Sequence, residues 1–319
     1  MLKNLLNHLP LVASLALFVF VVAFLITTPR VITLAESKIS SSQVIPQPLP
    51  VIDGEVAGES KQPIISLQSA GIATPSVSAY GVYVIDVDLG EELFAKNSQT
   101  RLAMASTTKI MTALVAADYF KSGQVLTVPK EALVGGSSMD LFAGEQMTFR
   151  SLLYGMLLNS GNDAAYTLAY NYSGGLNNFI DQMNLKAEQM NLKNTHFQNP
   201  AGFDNFDHYT SAADMAQIAK VFTKDALLAK IVATKNTSVV SFDKSKQHLL
   251  ANLNKLLGQN GVVGIKTGTT DASGENLVTL VERDGHRVLI VLLNSKDRFG
   301  ETKQIIDWIF SNYSWQVSN

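Results

Sequence analysis

The sequence predicts an α+β fold: an antiparallel sheet flanked by helices, with a helical subdomain. Three observations carry this. Alternating β-rich segments occur near residue 80 and again after residue 260, helical periodicity fills the stretch between them, and strong turn dipeptides separate neighbouring strands. "AYGVYVIDVD" and "EELFAKN" flank Leu89-Gly90 and predict a hairpin. From Ser106 to near Leu228 apolar residues recur at i, i+3 and i+4, as in "SLLYGMLLNSGNDAAYTLAYNYSG", "LNNFIDQMNLKAEQMNL" and "SAADMAQIAKVFTK". Each of these begins near a Ser, Asn or Asp that can accept a free backbone N–H. "VVGIKTGTT", "ENLVTLVER" and "HRVLIVLLN" return to strand composition, the last two joined by the hairpin turn Asp284-Gly285. "GETKQIIDWIFSNY" predicts a closing amphipathic helix. The N-terminal hairpin and the C-terminal strands are expected to join one sheet.

Composition divides the chain into three parts. No charge occurs from Asn4 to Pro29, and Leu11 to Ile26 is apolar apart from Ser14. With its polar flanks this run just reaches the roughly 20 residues that span a bilayer core. A secretory signal would need a small-x-small cleavage site close behind, but the nearest, ending at Ala35, lies well downstream. Residues 1–35 are therefore expected to form an uncleaved membrane anchor, with a cleaved signal as the alternative. Lys3, alone before the run, permits an exported body. Residues 36–75 are rich in Ser, Pro, Gly and charge, and no aromatic residue occurs between Phe24 and Tyr80, so this stretch reads as a disordered linker. Residues 76–319 are expected to be the catalytic body.

The formal charge of -2 supplies no broad basic field, which argues against nucleic-acid binding. The chain has no cysteine, so disulfides, thiolate metal sites and cysteine nucleophiles are excluded. Its five histidines show no metal-ligand spacing, and no metal or cofactor is expected. Covalent chemistry must use an oxygen or nitrogen nucleophile.

Ser106 and Lys109 lie three apart at a predicted helix start, on one face. A serine hydroxyl is a poor nucleophile until a base takes its proton, and a lysine serves when burial or a nearby cation lowers its pKa. The spacing alone decides nothing, because S-x-x-K arises about once by chance in such a chain, and Ser241 with Lys244 repeats it in a polar segment. Ser160 and Asn162 in "NSGND" lie at a turn between helices, where a hydroxyl and an amide could serve substrate, although the segment also reads as an ordinary helix cap. Lys266-Thr267-Gly268 lies on a strand, where glycine lets another backbone approach. In this order and context the three motifs form the signature of penicillin-binding proteins and serine β-lactamases.

Residues 76 to about 313 resemble the low-molecular-mass penicillin-binding proteins of the D-alanyl-D-alanine carboxypeptidase type. "ASTTKIMTALVA", "GSSM", "LLYGMLLNSGNDAA", "LKNTHFQNPAGFD", "GIKTGTTDASG" and "DWIF" carry the resemblance. It implies a β-lactamase/transpeptidase-like fold and a serine peptidase that removes the terminal D-alanine from peptidoglycan stem peptides and is inhibited by β-lactams. It further implies Ser106 as acylated nucleophile, Lys109 as general base and Ser160 as proton relay. Asn162 would orient Lys109 and substrate, Lys266 would complete the proton network and attract the terminal carboxylate, and Thr267 would bind substrate. Gly268 would allow close approach, and the Ser106 and Thr269 N–H groups would form the oxyanion hole. Arg298, upstream of Trp308 at the family's spacing, would grip the carboxylate.

The sequence departs from many family members by stopping shortly after "DWIFSNY", without a β-rich second domain or C-terminal membrane helix. The anchor and linker are expected to replace that attachment, placing the body on the outer face of a bacterial cytoplasmic membrane. A D,D-endopeptidase acting on cross-links is the alternative activity. A serine β-lactamase is disfavoured because Glu188 has no asparagine four residues on. A tethered β-lactam sensor is disfavoured because every catalytic side chain is present.

Overall fold

The computed structural model describes residues 64–318, and the apolar run at 11–26 lies outside them. The strands are β1 (Ile64–Ser69), β2 (Gly81–Asp86), β3 (Glu92–Lys96), β4 (Val125–Thr127), β5 (Gln146–Thr148), β6 (Asn236–Val240), β7 (Gln247–Ala251), β8 (Val262–Thr270), β9 (Gly274–Arg283), β10 (His286–Ser295) and β11 (Tyr313–Ser318). The helices are α1 (Lys109–Tyr119), α2 (Phe149–Leu158), α3 (Asn162–Asn171), α4 (Gly175–Gln189), α5 (Ala212–Phe222), α6 (Ala226–Val232) and α7 (Arg298–Asn312).

Five strands form the main antiparallel sheet in the order β3-β2-β10-β9-β8, so the hairpin before the helices and the strands after them do share one sheet. The α+β expectation holds, with the helical region inserted between β3 and β8. Central strand β10 is apolar on both faces. Val288, Ile290 and Leu292 pack with Ile305, Ile306 and Ile309 of α7, whereas Leu289, Val291 and Leu293 enter the larger core with α1, α2 and α5. Helices on both sides explain why this strand reads as an unbroken apolar run. Ser211 caps its helix where the sequence signals it, accepting from Asp214 N, and Thr148 and Asp297 cap two others by accepting from Ser151 N and Gly300 N; α3 and α4 instead follow Gly161 and Gly174, with no side-chain cap.

Two expectations need correction. β1 lies inside the stretch read as linker, so order begins before Ser76; its partner is β11, at the other end of the fold. The closing helix is likewise followed by β11. Each strand satisfies its backbone groups through the other, and neither reads as a strand by itself. Trp315 secures the ribbon, donating from Nε1 to Asp86 Oδ2 at 2.7 Å and stacking on His286. Among the described residues no helix is long and apolar enough to cross a membrane, and no cluster of metal-ligating side chains occurs.

Candidate active site

Ser106 lies in a 3-10 turn, Ala105–Thr108, that runs directly into α1, so Lys109 opens the α-helix. Ala105, just before the serine, takes φ 47°, a left-handed conformation costly for a residue with a Cβ. Ser160, in the turn between α2 and α3, takes φ 59°.

Lys109 is fully buried, and its amine has three partners: Ser106 Oγ at 2.9 Å, Asn162 Oδ1 at 2.8 Å and the Ala201 carbonyl at 2.6 Å. The orientation of the Asn162 amide is fixed because its Nδ2 donates to the Gly135 carbonyl at 2.8 Å. Burial, and then the charge of Lys266, hold the Lys109 pKa well below the ordinary lysine value, against the opposing pull of Asp163. A neutral amine has two N–H bonds and one lone pair. Asn162 Oδ1 and Ala201 O can only accept, so in the neutral amine they take both N–H groups and leave the lone pair for the Ser106 hydroxyl, whereas the protonated amine donates to all three oxygens.

Lys266 is buried on β8, donates to the Thr267 carbonyl at 3.0 Å, and is pushed down to about 7 by burial and then by the Arg298 charge. Thr267 is also buried. Gly268 passes so close to the 105–108 turn that a Cβ there would lie 3.1 Å from Ser106 N. Arg298 Nη1 donates to Gly268 O at 2.8 Å and to Thr269 Oγ1 at 2.5 Å, which ties the start of α7 to this strand. Ser160 is buried two residues before Asn162, but its hydroxyl bonds to neither lysine amine.

The loop 199–204 supplies a wall that the residue-by-residue reading left without a role. Asn199 Oδ1 accepts from Ala201 N, Gly202 N and Phe203 N at 3.2, 2.7 and 3.0 Å. Gly202, at φ 97°, lies against the 105–108 turn so closely that a Cβ would sit 1.9 Å from Ala105 O. Asp204 then accepts from Thr270 Oγ1 at 2.6 Å. Across the site, buried Asp163 takes Ser138 Oγ at 2.6 Å and Leu141 N at 3.1 Å, pinning the 137–141 loop beside Asn162. His248 Nδ1 meets Met139 O at 2.7 Å and its Nε2 meets Glu145 Oε1 at 2.6 Å. The Asn-Pro and Gly types of the first loop signal only a turn in sequence.

A buried lysine between a serine hydroxyl and an asparagine amide, beside a Lys-Thr-Gly strand, agrees with the comparison to known proteins. The family model described as D-alanyl-D-alanine carboxypeptidase matches residues 68–297. The chain belongs to the D-alanyl-D-alanine carboxypeptidase family. It is 36% identical over 245 residues to D-alanyl-D-alanine carboxypeptidase DacF of Bacillus subtilis, covering 74% of this chain and 63% of that one. It is 32% identical to the D-alanyl-D-alanine carboxypeptidase of Streptomyces sp. strain K15, over 71% of this chain and 84% of that one. The crystal structure of the Streptomyces K15 DD-transpeptidase is similar with a TM-score of 0.71 at 30% identity, covering 75% of this chain and all of that one. The chain thus spans under two thirds of the length of DacF, and it takes in the carboxypeptidase family region of the match.

Proposed function

We propose that this chain is a serine D-Ala-D-Ala carboxypeptidase that releases the terminal D-alanine of peptidoglycan stem peptides through an acyl-enzyme on Ser106. The observation that carries the reading is the Lys109 bonding set, which in the neutral amine leaves the lone pair to face the Ser106 hydroxyl. Ser106 Oγ attacks the carbonyl carbon of the D-Ala-D-Ala bond while its proton passes to Lys109 Nζ. The oxyanion is held by the Ser106 and Thr269 N–H groups. The C–N bond then breaks, the leaving amine takes a proton through the Ser160 hydroxyl, and D-alanine departs. Water attacks the ester with Lys109 as base, the ester C–O bond breaks, and Ser106 regains its proton.

In this reading Asn162 holds both the Lys109 amine and a substrate amide. Lys266, Thr267 and Arg298 receive the terminal carboxylate, and Gly268 keeps the strand against the nucleophile. Two cations beside one strand suit a C-terminal carboxylate, and charge-assisted bonds to it are the strong ones. A β-lactam enters as a cyclic amide whose leaving nitrogen stays attached, so its acyl-enzyme persists. A D,D-endopeptidase would use the same groups on a cross-linked peptide.

The site residues are part of the folded body, which begins with β1 at Ile64. We place this body outside the bacterial cytoplasmic membrane, held by residues 1–35 as anchor and by the linker that precedes β1; the apolar run from Leu11 to Ile26 supports this. Membrane fractionation of the full chain against a variant lacking residues 1–35 tests the anchor, with release of the variant expected. The activity is tested by incubating the full chain with a stem pentapeptide ending in D-Ala-D-Ala. Loss of one alanine, blocked by penicillin, is expected. Turnover of cross-linked dimers without alanine loss would move the assignment to an endopeptidase.

A further inference from the structure

The Ala105–Ser106 peptide has a hydrogen-bonded tail that ends on a buried histidine. Thr108 Oγ1 lies 2.7 Å from the Ala105 carbonyl, and His208 Nε2 lies 2.8 Å from Thr108 Oγ1. The other ring nitrogen, Nδ1, receives the Gln198 backbone N–H at 2.9 Å. Every proton in this chain has one possible place. A backbone N–H can only donate, so Nδ1 carries the lone pair and Nε2 carries the ring proton; a carbonyl can only accept, so the Thr108 hydroxyl proton points to Ala105. The chain therefore runs in one direction, from Gln198 N–H through His208 and Thr108 to Ala105 C=O. Thr108 and His208 are both buried, and the His208 ring packs edge-on against Phe197. Burial, reinforced by the neighbouring His196, pushes the His208 pKa down to about 4, which keeps the ring in the neutral form the chain requires.

The carbonyl and the N–H of one trans peptide point in opposite directions in one plane. Whatever fixes the Ala105 oxygen therefore aims the Ser106 N–H, and a bond accepted at the oxygen polarises the amide and strengthens that N–H as a donor. We propose that His208, acting through Thr108, is a positioning residue that aims and polarises the Ser106 N–H as an oxyanion donor. This rests on the reading of Ser106 as the acylated nucleophile. Two further features fit the same need. Ala105 is held in a left-handed conformation that requires support from its surroundings, and Gly202 lies close against the same carbonyl. Loop 196–209 thus reaches the nucleophile turn by two separate contacts.

The test uses the full-length protein and a penicillin labelled with 13C at the β-lactam carbonyl. The carbonyl stretch of the acyl-enzyme, read by isotope-edited infrared spectroscopy, reports how strongly the oxyanion donors grip that oxygen. Thr108→Val removes the hydroxyl at nearly constant shape. It should raise the stretch frequency and slow acylation by roughly 10-fold, less than the loss of a whole oxyanion donor. His208→Leu should shift the frequency in the same direction, whereas His208→Gln, which keeps a donor near the Nε2 position, should restore most of the wild-type value. Thr108→Val with His208→Leu should match Thr108→Val alone, because both substitutions cut one chain. The two variants cut separate links, so the folding failure of one leaves the other to decide. A wild-type frequency in the folded single variants would overturn the inference while the adduct still forms. Failure of wild-type Ser106 to take the adduct would overturn the nucleophile assignment itself.

Discussion

Asn162 Oδ1 stands 2.8 Å from Lys109 Nζ, in a hydrogen bond whose direction is fixed because the other end of the amide is committed to Gly135. This neutral acceptor orients the amine without charging it. Asn162→Asp would place an anion there, and a carboxylate beside an amine raises the amine's pKa by about 1–3 units. Lys109, the proposed base, would then stay protonated at neutral pH. Acylation of Asn162→Asp by penicillin should fall at least tenfold at pH 7 and recover as the pH rises, which a pH profile of the second-order acylation rate checks.

Lys266 works on Lys109 through charge. Burial is the first cause of the depressed Lys109 pKa and the Lys266 cation is the second. Lys266→Gln should therefore move the ascending limb of the acylation profile to higher pH, while burial still keeps it below the ordinary lysine range. Substrates with a terminal carboxylate should also bind more weakly.

The same lysine has a stability signature of definite sign. Its native pKa is about 7 against an ordinary 10.5, so between those values the unfolded chain binds more protons than the folded one. Stability then rises with pH across that window, and below it the cost of the buried charge is fully present. Lys266→Gln removes this dependence. Thermal unfolding should show the variant more stable than wild type at pH 6, with the gap closing towards pH 10.

Asn199 holds the loop that presents the Ala201 carbonyl to Lys109, through three accepted N–H bonds. Asn199→Ala leaves those three donors without their acceptor and, at about 1–3 kcal/mol per orphaned group, should cost roughly 3–9 kcal/mol, less for any donor that reaches water. Chemical denaturation measures the loss. Acylation should also slow, because the Ala201 carbonyl no longer fixes one Lys109 proton.

The parts of this site legible in the sequence are those whose partners lie close along the chain. Ser106 and Lys109 meet because three residues return to one face of a helix, and the Lys-Thr-Gly strand shows in its composition. The assignment of Arg298 needed the family resemblance, since an arginine at a helix start has no chemical signal of its own. Gly202 and His208 meet the Ser106 turn about a hundred positions away, on a loop that Asn199 shapes, and in sequence these three read as turn formers and a lone histidine. β1 and β11 illustrate the same limit in the fold, because each becomes a strand only through a partner at the opposite end of the body. The β6–β7 hairpin escaped notice for another reason. Its outer face carries exposed Val240 and Leu249, which blurs the polar-apolar alternation that marks a strand with one face in water.

The central claim is that Ser106, and not the equally spaced Ser241, is the nucleophile. Ser241 lies outside any helix, and its hydroxyl donates to Asp243 at 2.6 Å, with no lysine amine among its partners. The most direct measurement is peptide mapping by mass spectrometry of the full chain after treatment with penicillin, for wild type, Ser106→Ala and Ser241→Ala. The account predicts one covalent adduct on the peptide containing Ser106, lost in Ser106→Ala and retained in Ser241→Ala. An adduct that persists in Ser106→Ala, or that maps to Ser241, would contradict it.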